Sequence, residues 1–292
     1  MIELGPGADL LRMVGGIFWL VVIGAVVAAA LIPKTKTSKA IAGIVVVVLF
    51  LAFPGRWAWE MKRETDAKGS RLAKAEAMFQ ERCKTAGEKI YRTVDGVEGI
   101  LLMKVRPKED NFGEQYRMDD PYGDDLGGDG YIETFLRARD EKGHLAATVV
   151  GGYRYVDVID ATDGKRYRYT GRTEEPWQTD KHYLKGYIRF VLDKAPTTAP
   201  SPRYGVTYDD ISTLDDREYW IAGSSLRVID LQTNEVIAER IGYMMDRGQG
   251  AIGQGGSHPA WGRARKHACP PHPAPHQARN FVERGLKTIK EN

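Results

Sequence analysis

Several features that would assign a function are scarce or lacking. The 42 Lys and Arg residues nearly balance the 39 Asp and Glu residues, and a net charge of +3 over 292 residues does not argue for a nucleic-acid surface. No internal repeat is evident, and 292 residues leave room for an N-terminal segment plus one domain, or two small ones. Cysteine occurs only at Cys83 and Cys269, which allows one intrachain pairing. Ser224-Ser225 has no nucleophile-elbow context. Residues 248–256 lack the Lys-Ser/Thr ending of a phosphate loop. The acidic loop near residue 120 lacks the spacing of an EF-hand. Nothing in the sequence calls for a cofactor, and no catalytic set emerges.

Two apolar runs are the strongest positive signal. Residues 14–32 carry no charge, and about twenty such residues cross roughly 30 Å of hydrocarbon as a helix. The run is too long for the core of a cleaved signal peptide, and a second run, 40–53, follows at once. That second run is shorter than a comfortable span needs, and a buried or interfacial helix is its alternative. Lys39 is placed to snorkel, and Trp57 and Trp59 to form an aromatic belt. The pattern predicts a two-helix transmembrane hairpin over 1–55, a polar helical stalk over 56–70 and a soluble domain over 71–292.

The basic loop with Lys34, Lys36 and Lys39 favours a cytoplasmic hairpin loop, but Arg56, Lys62, Arg63 and Lys68 argue the other way. The cysteines break the tie. Cys83 lies on the apolar face of the first helix of the domain and Cys269 just before the last. A disulfide between them would close almost the whole domain and needs an oxidising compartment. The alternative is a buried thiol and an unrelated surface cysteine. With the disulfide, the expected location is a bacterial inner membrane with the domain in the periplasm.

Within the domain, Leu72, Ala75, Phe79, Cys83, Ala86 and Ile90 recur at helical spacing and predict a helix over 56–91, with a kink or break at Gly69-Ser70. Residues 99–106 read as a strand stopped by Pro107. Residues 145–159 and 165–169 read as strands joined at Asp163-Gly164, and 183–192 as another strand. A proline-rich stretch covers 195–202. Residues 219–231 and 235–245 form a hairpin about Gln232-Thr233-Asn234. Phe281, Val282, Leu286 and Ile289 mark a short helix over 277–289. The fold class is α+β, an antiparallel β-sheet with a long N-terminal and a short C-terminal helix packed on it.

Three clusters are candidate sites. His267, His272 and His276 lie near Cys269 and could hold Zn²⁺ or Cu, although the spacing matches no standard zinc motif and a solvated proline loop is the competing account. Asp119, Asp120, Asp124, Asp125 and Asp129 form an oxygen-rich, glycine-rich loop. It could take Ca²⁺, present an acidic surface to a partner, or cap its own turns. Tyr153, Tyr155, Tyr167, Tyr169 and Trp177, interleaved with Arg154, Arg166 and Arg168, suit a protein-binding surface or, equally, cross-strand pairs in a solvent-facing sheet. Asp209-Asp210 with Asp215-Asp216 could act as paired acids, with helix capping as the alternative.

Phe79-Gln80-Glu81-Arg82-Cys83, residues 99–107, Met118-Asp119-Asp120-Pro121-Tyr122-Gly123 and residues 228–240 resemble a family of proteobacterial inner-membrane-anchored proteins with no assigned function. The resemblance covers most of 71–292 and implies a bacterial envelope context, without an activity or binding residues. The resulting expectation is a non-enzymatic, membrane-anchored periplasmic domain that binds a protein partner and no nucleic acid. Immunity to a secreted antibacterial effector is its most concrete form, by analogy alone. A periplasmic hydrolase, with or without a metal, and a structural part of an envelope machine are the rival readings.

Overall fold

The computed structural model describes residues 20–50, 56–123, 125–137, 151–175, 188–251, 259–271 and 277–289. The chain divides between Ser70 and Arg71 into two compact units. In the first unit residues 20–31 are helical (α1), and α2 (Lys36–Phe50) follows. Thr35 caps α2, its hydroxyl accepting from the Ser38 amide at 3.2 Å. The 15 residues of α2 extend about 22 Å at 1.5 Å each, short of a bilayer core of about 30 Å. Among the described residues no helix is long and apolar enough to cross a membrane. This overturns the expected hairpin of two transmembrane spans. The placement in a bacterial inner membrane, with the domain in the periplasm, falls with it. Residues 13–19 and 51–53 of the two apolar runs lie outside the described residues.

The helix α3 (Arg56–Cys83) runs unbroken through Gly69-Ser70. It stops at Cys83, short of the expected end near Tyr91. Gly87 leaves helical space with φ +150°, and the next residues pair into a sheet as β1 (Gly87–Ile90). Ile90, read from its spacing as a helical residue, sits opposite Ala238 across the strands. Tertiary pairing has overridden the helical period here.

The remaining elements are β2 (Val94–Val97), β3 (Gly99–Leu102), α4 (Asp129–Leu136), β4 (Tyr155–Ile159), β5 (Arg166–Glu174), β6 (Arg189–Pro196), β7 (Tyr204–Asp210), α5 (Leu214–Glu218), β8 (Ile221–Asp230), β9 (Glu235–Met245), α6 (Ala260–Ala264), β10 (Ala268–Cys269), α7 (Gln277–Gly285) and β11 (Leu286–Thr288). Among the described residues nine strands form one sheet in the order β1-β9-β8-β7-β3-β4-β5-β6, with β10 also on β9. The architecture is mixed α+β with a large, mainly antiparallel sheet. Among the described strands of this sheet only β3 breaks the rule, running parallel to both β4 and β7. Its residues Gly99-Ile100-Leu101-Leu102 are all buried, as a strand with parallel neighbours and both faces covered requires.

The β8–β9 hairpin follows its apolar alternation. Ala222, Leu226 and Val228 pack on one side of the sheet, while Ile221 turns to the other with Met245 opposite it. Asn234 closes the turn at φ +58°, a conformation that asparagine tolerates. The main core joins Ile100, Leu102, Val156, Val206 and Val228 of the sheet to Tyr131 and Phe135 of α4 and Phe281 and Val282 of α7. A second cluster sets Ala75 and Phe79 of α3 against Ile221, Tyr243 and Met245. The Cys83–Cys269 disulfide ties the end of α3 to β10, with the two Cα atoms 5.6 Å apart.

Helix α7 ends at Gly285, before the expected Ile289, because Leu286 is drawn into the core as part of β11, which pairs in parallel with β2. Arg279 of α7 is buried, and its guanidinium donates to the carbonyls of Thr134 and Arg137. Those carbonyls are at the end of α4, where a helix leaves acceptors unsatisfied and favours a cation.

Candidate functional site

Arg106 organises the most elaborate part of the surface. It lies beyond β3, which ends at Leu102 rather than at the expected residue 106, just before Pro107, and it is buried. Its guanidinium pairs with Asp120 at 3.0 Å and Asp125 at 3.7 Å, and lies 4.1 Å from the Tyr208 ring centroid. A buried guanidinium demands such partners. The acidic, glycine-rich loop supplies them by wrapping around it. A Cβ at Gly123 would collide with the Arg106 guanidinium, and one at Gly127 with the Pro107 carbonyl. Glycine is what permits this close approach.

Asp120 is the pivot of the loop, held at φ +57°. Its carboxylate accepts from Arg106, from Ser224 Oγ at 2.9 Å and from the Gly123 amide at 3.0 Å. Its own amide donates to Asp210 at 3.0 Å, and Asp210 is paired with the buried Arg217. Burial pushes the Asp120 carboxyl up to about 6, with Arg106 and Ser224 opposing the shift. The folded carboxyl thus holds its proton more tightly than an unfolded aspartate, which titrates near 4. Its contribution to stability is fully present below about pH 4 and is lost as pH rises through about 6. Asp120→Asn should abolish this component. Urea midpoints of wild type and variant, compared from pH 4 to 7, should show the wild type losing ground relative to the variant. A constant difference would contradict the assignment.

Beyond Asp120 the loop is cross-braced. Asn111 Oδ1 accepts from the amides of Gly113 at 3.2 Å and Glu114 at 2.8 Å, and its Nδ2 donates to Asp119 at 2.8 Å. Arg117 donates to the Glu109 carbonyl at 3.0 Å and pairs with Asp119 at 2.6 Å. Gln115 reaches across to the carbonyls of Arg217 and Glu218 at 2.6 and 2.9 Å. The Trp261 indole donates to the Glu114 carbonyl at 3.4 Å. The backbone is therefore fixed, while Phe112, Tyr116 and Met118 remain 58, 56 and 42% exposed. A cleft of about 60 Å³ lies beside the loop, lined by Arg106, Asp120, Asp125 and Trp261 among others. That is room for about two waters, well below the roughly 300 Å³ at which small-molecule sites begin. The arrangement is suited to presenting a surface.

The predicted site residues are distributed differently from their order in sequence. Asp120 and Asp125 are internal counterions of Arg106, Asp119 is a brace of the loop, and Asp129 opens α4. Asp125 also accepts from the Ala278 amide at 3.1 Å. Tyr153 is buried, its hydroxyl donating to the Leu286 carbonyl at 2.6 Å, and Tyr169 is buried in the same core. Tyr155 and Tyr167 are half-buried beneath Arg168 and Lys194, at 3.7 and 4.2 Å from their rings. Arg166 and Arg168 both clasp Asp157 and also reach the carbonyls of Ala199 and Pro200. Across the strands Tyr167 sits opposite Val158 and Tyr169 opposite Val156.

The His267 carbonyl accepts from the Met245 amide, and Cys269 is consumed by the disulfide. Among the described residues no group of His, Cys, Asp or Glu is placed to hold a metal ion. Asp124, Trp177, His272 and His276 lie outside the described residues. Asp209 is paired with Arg227 and Asp210 with Arg217, while Asp216 completes a capping box with Thr213 at the start of α5 and pairs with Arg82. Phe112, Tyr116 and Met118 are the residues that sequence reasoning missed. Their signal was available as apolar side chains inside an otherwise polar loop.

In comparisons with known proteins, no protein-family model, no curated protein and no solved structure matches the chain. The functional reading therefore rests on the geometry of the loop.

Proposed function

We propose that the unit Arg71–Asn292 is a non-enzymatic protein-binding domain whose contact surface is the loop 109–119. The bracing of this loop supports the reading. Its hydrogen bonds hold the backbone from within and from Trp261, yet leave Phe112, Tyr116 and Met118 in solvent. Aromatic residues and methionine are enriched in protein interfaces. A loop ordered before binding avoids the entropic cost of ordering on contact. Neutralising a secreted antibacterial effector is one concrete form of such a role, with the loop entering the effector's cleft.

A photo-reactive residue placed at Phe112 or Tyr116 of the full chain, in source cells, tests the reading. A control at Ile159, exposed elsewhere on the domain, completes the experiment. The expected result is one discrete protein adduct from both loop positions and none from the control. No adduct, or the same adducts from all three positions, would refute the proposal.

A further inference from the structure

The loop also carries an imbalance of charge, and it bears on the kind of partner. Most acidic side chains of the domain have an arginine. Asp157, Asp216, Asp230 and Asp246 are clasped in this way, as are Glu88 and Glu174 at the surface. Glu109, Asp110 and Glu114 belong, with Asp215, Glu235 and Glu239 elsewhere, to those that have none among the described residues. The three in the loop are exposed, they flank Phe112, and among the described residues they form no ion pair. The neighbouring Arg117 is committed to Asp119 and to the Glu109 carbonyl. Lys108 is the remaining cation of the stretch, and among the described residues it forms no ion pair. The same segment thus holds apolar side chains outward and unneutralised carboxylates around them, on a backbone that cannot easily rearrange.

We infer that the loop docks a partner protein whose contact patch is an apolar recess ringed by Lys and Arg. The inference rests on the protein-binding reading and adds the chemistry of the partner. Bound in this way, Phe112 and Tyr116 supply the desolvated centre, and the carboxylates form a polar rim. Rim charges of one sign steer a partner of the opposite sign and exclude those of like sign, so association weakens with salt.

Three labelled amphipathic helical peptides with one shared apolar face would separate the two levels. Their polar faces carry Lys, Gln or Glu, and binding to the full chain is read by fluorescence anisotropy. The Lys peptide should bind about tenfold more tightly than the Gln peptide at low salt, lose that advantage near 0.5 M salt, and the Glu peptide should not bind. The combined Glu109→Gln, Asp110→Asn and Glu114→Gln chain should bind the Lys and Gln peptides alike. Phe112→Ala with Tyr116→Ala should weaken both. Equal binding of Lys and Gln peptides to the wild-type chain overturns the basic partner and leaves the protein-binding reading standing. Lys-peptide binding that survives the Phe112 and Tyr116 substitutions lies elsewhere on the chain and overturns the inference. Failure of every peptide to bind, together with no adduct at Phe112, overturns both.

Discussion

Replacing Cys83 and Cys269 by serine should lower the stability of the domain by about 5 kcal/mol in the chain-entropy model. The two residues are 186 positions apart in sequence, so the bond restricts almost the whole unfolded domain. The native side contributes as well. Phe79 of α3 is buried against Tyr243, and the half-buried Cys83 and Cys269 pack against the same cluster. Releasing the end of α3 therefore loosens a packed seam. A domain whose total stability is roughly 5–15 kcal/mol loses a large part of it. Urea denaturation of the wild type with and without reductant, beside the double-serine variant, measures the effect. The reduced wild type and the variant should unfold at the same, much lower, urea concentration. Coincident curves for oxidised and reduced wild type would show that the bond contributes nothing.

The second large effect is expected at Arg106. Arg106→Met keeps much of the volume but leaves Asp120 and Asp125 buried without their cation. Breaking a buried pair from one side costs about 3–5 kcal/mol. The loss should be uneven across the domain. The loop 109–123 depends on this anchor, whereas the β8–β9 hairpin depends on its own pairing. Amide hydrogen exchange should rise most in the loop. Adding Asp120→Asn to Arg106→Met should restore part of the stability, because one of the two stranded charges is then neutral. If the double variant is no more stable than the single one, the Arg106–Asp120 pair is not what holds the loop.

How far the fold could be read in advance depended on the range of the interactions. The strand 235–245 and its partner were legible because apolar alternation and a turn at Asn234 are local signals. The Asp163-Gly164 turn was legible for the same reason, with Gly164 at φ +68°. The parallel neighbours of β3 were not. Leu101 and Leu102 lie beside Asp157 and Val158 on one side and Gly205 and Val206 on the other, and no local pattern specifies partners that far away. The end of α3 was misplaced because Ala86 and Ile90 continue the helical spacing by coincidence, whereas β9 claims Ile90 for the sheet.

The candidate site was legible in part. The acidic loop was visible as a cluster of Asp and Gly, open to Ca²⁺, to a partner or to capping its own turns, but its buried counterion was not. The internal cation Arg106 precedes the loop as an unremarkable arginine next to a proline. The tyrosines were visible too. Their alternation with arginine along β5 does not tell which face the core will take, and Tyr169 fell inward, as did Tyr153 ahead of β4. The membrane expectation failed because α2 has 15 residues and, among the described residues, no helix is long and apolar enough for a span.

The joining of α3 to β10 also bears on how the chain can be made. Synthesis runs from the N-terminus at roughly 5–20 residues per second. Cys83 therefore emerges some 186 positions before its partner, an interval of roughly 10–40 s. For most of that time β1 has no β9 to pair with, and the thiol of Cys83 stands open to any other oxidant or disulfide. A nascent chain of this topology carries an unpaired edge and a reactive sulfur until it is almost complete, and its yield should depend on what shields both during translation.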